Sequence, residues 1–261
     1  MTRATDPAAS DPPEHVLVET QGAVQTIRLA RPEKKNALTV AMYTRWVEAL
    51  RAAHADEAIR VVRLIGQPGV FTAGNDLADF MQAPFDADSP VLQLLRALVH
   101  AEKPIVAAVD GPAVGIGTTL LLHCDMVVAT ERARFQVPFI KLGLVPEGGS
   151  SLLMPALAGL QRASEWLMLG EPFDAHAARE AGLVNRVVAA DALEAESGAL
   201  CERLAAQPAE ALRLTKAMLR GPQRAATAQV IDAEAAVFME RLRSPEAMAA
   251  FGAFLSKSAP R

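Results

Sequence analysis

The chain has 261 residues, 51% hydrophobic and 21% charged, a globular balance at a length that buries a core without disulfide or metal staples. Lysine and arginine number 26 against 30 aspartates and glutamates, a formal net charge of −4, so the chain has no basic footprint for nucleic acid. An aromatic content of 5% also argues against a base-stacking platform.

Two cysteines, Cys124 and Cys201, stand far apart and outside any CxxC pattern, which points to a reducing compartment and away from a zinc site. The histidines His15, His54, His100, His123 and His176 show no metal spacing. Residues 1–13, polar and rich in Pro, Asp and Ala, read as a flexible leader without the apolar run of a signal peptide. Uncharged stretches such as Gly111–Leu122 fall short of the ~18–20 apolar residues of a bilayer span. The expectation is a cytoplasmic chain with no membrane partner.

In chain order, Val16–Thr20 and Val24–Leu29 are β-rich and joined through Gln21-Gly22 as a hairpin. The polar loop Arg31–Leu38 follows, and Thr39 caps a helix whose Met42, Trp46, Leu50 and Ala53 recur at helical spacing. Ile59–Ile65 and Ile105–Val109 are strands of mainly branched and apolar residues, each ending in a glycine-bearing turn. Thr118–Cys124 reads as a buried helix and Met126–Ala129 as a strand. Strands alternating with helices predict an α/β core over residues 14–195. After Asp191 the pattern becomes helical throughout, over Ala192–Ala206, Pro208–Leu219, Gln223–Arg243 and Pro245–Ser256. Residues 196–261 are accordingly expected to form a helical oligomerisation region. Val230, Val237, Met239 and Leu242 leave more apolar helix surface there than one thin layer would bury.

Several chemistries drop out. Gly115-Ile-Gly117 follows a strand and opens a helix, but Leu120 holds the third glycine position of a dinucleotide fingerprint, and Asp125 comes too early for its ribose carboxylate. No phosphate loop of the GxxxxGK[ST] type is present, and Gly149-Ser-Ser is not a GxSxG elbow. No metal or nicotinamide is therefore expected. His123, among apolar neighbours, reads as a satisfied core or interface histidine.

What remains is two glycine-bearing strand ends and one acidic turn. Phe71-Thr-Ala-Gly-Asn-Asp-Leu77 and Asp110-Gly-Pro-Ala-Val-Gly-Ile-Gly117 would both present backbone N–H groups at a sheet edge. Such groups could hold a developing oxyanion; the alternative is two tight turns that simply need glycine. Glu147 lies between Pro146 and Gly148-Gly149, just before the apolar stretch Leu152–Leu157. An acid there either favours a helix N-terminus or serves as a general base.

At these residues the sequence resembles the crotonase superfamily, the enoyl-CoA hydratases and isomerases. The resemblance runs from about Val16 to Lys257 through Arg31-Pro…Asn36-Ala-Leu38, Val61-Val…Gly66, Phe71–Leu77, Lys103-Pro-Ile-Val-Ala-Ala-Val-Asp-Gly111, Cys124-Asp125, Phe135…Pro138 and Ala181-Gly-Leu-Val-Asn185. It implies a spiral of ββα units with a C-terminal helical trimerisation region, homotrimers or dimers of trimers, and acyl-CoA thioester substrates, with coenzyme A as part of the substrate and no separate cofactor. It further implies that the N–H groups of Asn75 and Ile116 bind the thioester oxygen. The two glutamates of the family's hydratases fall on Thr119 and Phe139, neither a proton carrier. The motifs are instead similar to those of monofunctional Δ3,Δ2-enoyl-CoA isomerases, whose single catalytic glutamate maps onto Glu147; the alternatives are an enoyl-CoA hydratase, another crotonase-type acyl-CoA reaction, or a non-catalytic acyl-CoA-binding scaffold. Coenzyme A would lie along Lys35, Ala37, Ala73, Gly74, Asp76 and Leu77, with Lys257 as a second phosphate contact. Gly115 would shape the oxyanion turn, and Phe139 and Leu144 would form an apolar surround for Glu147. Phe80, Met81, Phe85 and Leu92 are expected to flank the acyl chain.

Overall fold

The computed structural model describes residues 15–81 and 86–258. The expected leader and Phe85 lie outside them, as do the side chains of Phe80 and Lys257. Strand β1 (Val16–Gln21) turns through Gly22 into β2 (Val24–Leu29), an antiparallel hairpin with Gln21 opposite Val24. Helix α1 (Val40–Ala55) starts at Thr39, whose hydroxyl accepts the Met42 N–H at 3.3 Å. The predicted stripe of Met42, Trp46, Leu50 and Ala53 is buried throughout. Strand β3 (Val61–Ile65) then joins β2 in parallel, beginning two residues later than the branched run suggests.

Helix α2 (Leu77–Phe80) is a single turn, and α3 (Pro90–Val99) brings the chain back to β4 (Ile105–Val109), parallel to β3. Strand β4 is buried on both sides, as its unbroken apolar sequence requires. Ile105, Ala107 and Val109 face the larger core beneath α1 and α3, while Val106 and Ala108 face a second, smaller core.

Strand β5 (Pro112–Val114) leads into α4 (Ile116–Thr119), and the chain tightens to a 3₁₀ turn over Leu120–His123 before β6 (Met126–Thr130). The single helix expected over Thr118–Cys124 is thus two short pieces. Strands β7 (Arg134–Gln136) and β8 (Phe173–Asp174) pair with β5 in a three-stranded sheet ordered β5-β7-β8, and β9 (Arg186–Val188) completes a six-stranded sheet ordered β1-β2-β3-β4-β6-β9. Between β7 and β9 lie α5 (Ser150–Ala158), α6 (Leu160–Leu169) and α7 (Ala175–Glu180). The architecture is the expected mixed α/β class.

Helix α8 (Leu193–Ala205) spans residue 195 and lays Leu193, Leu200 and Cys201 on the second core, against Val61, Ile65, Val106 and Val128. Helix α9 (Ala209–Leu242) departs from expectation: the two helices read on either side of Gly221-Pro222 are one, with Pro222 inside it. A proline there forfeits one hydrogen bond to the preceding turn; the carbonyl left without that donor belongs to Met218, an exposed residue rather than one of the core. Helix α10 (Pro245–Ser258) ends the described chain.

Helix α9 is fastened to the sheet through Asp125. Its carboxylate accepts the Ile105 N–H at 2.8 Å and Lys216 Nζ at 2.7 Å, while Arg220 reaches the carbonyls of Leu122 and Cys124. Lys216 is buried, and desolvation holds its amine below the ordinary lysine range despite the Asp125 charge. Asp125→Ala would leave that ammonium buried without its counter-ion, so a loss of about 3–5 kcal/mol is expected, read from the urea midpoint. An unchanged midpoint would show that the clasp contributes nothing net. Among the described residues no helix is long and apolar enough to cross a membrane.

Candidate active site

The two glycine-bearing turns lie side by side. Thr72 bridges Ala113 in parallel, its N–H donating to the Pro112 carbonyl and its carbonyl accepting the Val114 N–H. The loop Arg31–Leu38 is stitched to the first turn. Ala73 N–H donates to Lys35 O, Leu38 N–H to Gly74 O and Asp76 N–H to Leu38 O. Asn36, fully buried, donates to the Val70 and Phe71 carbonyls and accepts the Arg31 N–H.

That bonding pattern fixes where the Asn75 N–H points. In a parallel bridge the partner strand bonds to the residues on either side of the bridged one, so Leu38 engages Gly74 and Asp76 and leaves Asn75 directed the other way. Ile116 is the first residue of α4, whose first-turn N–H groups have no intrahelical acceptor. Among the described residues neither N–H bonds to a protein acceptor. The Asn75 side chain is engaged: its Oδ1 accepts from Tyr43 Oη at 2.5 Å.

Glu147 sits on the third turn, where Gly148 (φ +68°) and Gly149 (φ +77°) reverse the chain into α5. The left-handed backbone there admits glycine at little cost. A side chain on Gly148 would also press on Thr119, which stands 3.1 Å from its Cβ position. Glu147 is partly buried, and its Oε1 accepts from Thr119 Oγ1 at 2.5 Å. Burial pushes the Glu147 carboxyl up to about 7; the Thr119 hydroxyl opposes the rise and the charge of Glu234 adds to it. Tyr43 is held far above the ordinary phenol range by burial and then by the Glu147 carboxylate, so it stays an O–H donor. His123 Nε2–H donates to the Gly148 carbonyl at 2.7 Å, and burial drives its pKa down to about 4. It is the satisfied core histidine the sequence indicated.

A small cavity of about 20 Å³ connects Glu147 and Asn75. Leu92 and Leu95 of α3 and Ile231, Ala235 and Phe238 of α9 supply most of its wall, and among the described residues Glu147 is the only titratable one lining it. Leu144 and Phe139, the expected surround, are both buried; neither is among the residues lining this cavity, and Phe139 meets Phe238 edge to face with centroids 6.3 Å apart. Of the residues expected along the acyl chain, Leu92 lines the cavity and Met81 is exposed.

The other expected site residues separate by position. Lys35 is exposed on its loop with left-handed backbone (φ +51°), and Ala37 and Ala73 flank it. Asp76 accepts from Arg31 Nη1 at 2.7 Å and caps α2. Burial would raise its carboxyl, but the guanidinium and the α2 N–H groups outweigh that and hold it below the usual range. Leu77 opens α2 and packs on the core. Gly115 donates to Gln136 O and precedes Ile116. The sequence carries no signal that marks Tyr43 or Glu234. Tyr43 looks like one more member of the α1 apolar face, and Glu234 like an ordinary charge on a long polar helix.

Residues 19–261 match the family model described as enoyl-CoA hydratase/isomerase, and the chain belongs to that family of enzymes. It is 34% identical over 216 residues to 4-chlorobenzoyl coenzyme A dehalogenase-2 of an Arthrobacter species, covering 80% of this chain and 78% of that one. It is 32% identical over 249 residues to enoyl-CoA delta isomerase 2 of Rattus norvegicus, covering 93% of this chain and 63% of the longer relative. Its fold superposes on the structure of Pseudomonas aeruginosa OdaA with a TM-score of 0.90 at 44% identity, covering 93% and 99% of the two chains. Other relatives at similar identity are named hydratases, so the family alone does not select the reaction.

Proposed function

We propose that this chain isomerises a 3-enoyl-CoA to the trans-2-enoyl-CoA, with Glu147 carrying the proton. The observation that supports this reading best is Glu147 itself, a carboxyl raised to about 7 by burial, facing Asn75 across a small cavity walled mostly by apolar side chains and, among the described residues, by no other titratable group. A 1,3-proton shift needs one group that takes a proton and returns it. Glu147 removes the proton from C2, the C–H electrons pass into a dienolate, and charge gathers on the thioester oxygen between the N–H groups of Asn75 and Ile116. The proton then returns to C4, leaving the double bond between C2 and C3. Nothing is added or lost, so no metal and no separate cofactor takes part. Dry walls protect the dienolate from stray protonation.

Coenzyme A lies along the loop bearing Lys35 and Ala37 and the turn Ala73–Leu77, with Gly74 and Gly115 allowing close approach and Lys257 giving a second phosphate contact. The functional unit is a homotrimer or a dimer of trimers. The exposed apolar residues Leu214, Met218 and Leu219 of α9 support self-association, and a monomer in sedimentation at micromolar concentration would refute it.

The reaction is tested by incubating the protein separately with a 3-enoyl-CoA and a 2-enoyl-CoA. The expected result from the first is an isomer of unchanged mass. A product heavier by ~18 mass units, one water, would make the protein a hydratase. The oxyanion contacts are tested by Asn75→Ala, which keeps the backbone N–H but orphans the Tyr43 hydroxyl. A stability loss of about 1–3 kcal/mol is expected, with turnover largely retained. A thousandfold fall in kcat, with folding intact, would place the chemistry on the amide side chain.

A further inference from the structure

We infer that Glu234, on α9, is a positioning residue for Glu147, holding the turn that carries the base from across the molecule. The inference rests on the reading of Glu147 as the proton carrier. Helix α5 opens on Gly149, a cap position without a side chain and without a local side-chain cap. The role passes to Glu234, whose Oε2 accepts the Gly149 N–H at 2.6 Å and whose Oε1 accepts the Ser151 N–H at 2.9 Å. Both oxygens of one carboxylate thus grip the peptide groups immediately following Glu147, while Ser150 N–H closes the turn on the Glu147 carbonyl at 3.2 Å.

Glu234 is only 8% exposed, and no lysine or arginine pairs with it among the described residues. An uncompensated buried carboxylate is a poor choice for mere helix capping, which Ser, Thr or Asp at the cap position would supply without desolvating a distant charge. Its neighbours in sequence, Ile231, Ala235 and Phe238, line the cavity. One face of α9 therefore shapes the cavity and sets the base within it.

The charge of Glu234 also acts on Glu147 directly, keeping the base harder to ionise. The other groups around the two carboxylates are Tyr43 and Thr119, which stay neutral, and His123, neutral and bonded to Gly148. Arg220 acts on His123, and Arg96 is paired with Asp232 on the neighbouring turn of α9.

The test compares Glu234→Gln with wild type in kcat, KM and pH profile, and follows the Glu147 carboxyl titration by ¹³C NMR, assigned with Glu147→Gln. Glutamine keeps the volume but offers one acceptor oxygen and sets an NH₂ against the remaining N–H. The expectation is a fall in kcat of about 10- to 100-fold, the scale of a misplaced catalytic group, with KM changed less than about threefold. The Glu147 titration should move to lower pH. Unchanged kcat and an unchanged titration, with only a lower melting temperature, would overturn the inference and leave Glu234 a structural cap. The NMR titration needs no substrate, so it stands even if the 3-enoyl-CoA reading fails. Should Glu234→Gln not fold, Glu234→Asp serves: the charge stays and the reach shortens, so kcat should fall while the Glu147 titration holds. Full activity in Glu234→Asp would overturn the inference equally.

Discussion

Glu147→Gln is expected to lower turnover by about 10²–10⁴-fold, the usual contribution of a positioned acid–base group, while CoA-ester binding changes little. The amide fills the same space and still meets Thr119, but it cannot accept the C2 proton. In the wild type the acidic limb of the rate profile should have its midpoint near the Glu147 value of about 7, with activity rising as pH increases through it, because only the ionised carboxylate is a base. The same substitution should stabilise the fold at alkaline pH. The folded chain binds the Glu147 proton more tightly than the unfolded chain, whose carboxyl titrates near 4.5. That contribution is complete below pH 4.5 and is lost as pH rises through about 7. At pH 8 the glutamine variant should therefore gain about 1–3 kcal/mol, discounted for the partial exposure of the group, and at pH 4 almost nothing. Urea midpoints at the two pH values measure this. Wild-type turnover in Glu147→Gln would end the proposed mechanism, since among the described residues no other titratable group lines the cavity.

Gly74→Val should be nearly as damaging by a different route. Gly74 has φ +87°, and a Cβ on it would stand 2.8 Å from the Val114 carbonyl oxygen, a backbone atom that cannot swing aside. The turn must open, which breaks the Leu38 N–H to Gly74 O bond and displaces the Asn75 N–H from its proposed oxyanion contact. Losing one donor to a developing oxyanion costs about 10²–10³ in kcat, and the strained backbone adds about 1–3 kcal/mol of instability. Single-turnover kinetics on folded variant, beside a thermal melt, separates the two effects. A folded Gly74→Val with normal kcat would mean that the first turn takes no part in the chemistry.

These two residues stand out in the primary sequence for a physical reason. Glycine beside an acid or amide at a strand end is a local signal, and so are the Thr39 cap, the α1 stripe and the apolar run of β4. Interactions between distant segments leave no such mark. Phe139 and Leu144 are near Glu147 along the chain, yet the cavity wall comes from α3 and α9, which only tertiary packing brings there. Tyr43 belongs to the apolar face of α1, and its hydroxyl finds Asn75 only when the first turn folds over it. Gly221-Pro222 reads locally as a helix break, yet α9 runs through it, because a proline removes one donor from an exposed turn and leaves the turns on either side intact.

Helix α9 gives the molecule an order of assembly. Strands, turns and Glu147 itself are all translated before α9, yet the clamp on Gly149 and Ser151 and a third of the cavity's lining residues lie between residues 231 and 238. A ribosome-bound chain that has released only the β-rich part holds Glu147 and both proposed oxyanion N–H groups, but not the carboxylate that seats the base. Catalytic competence therefore waits for α9, and a protease that nicks α9 should switch off turnover before the sheet unfolds.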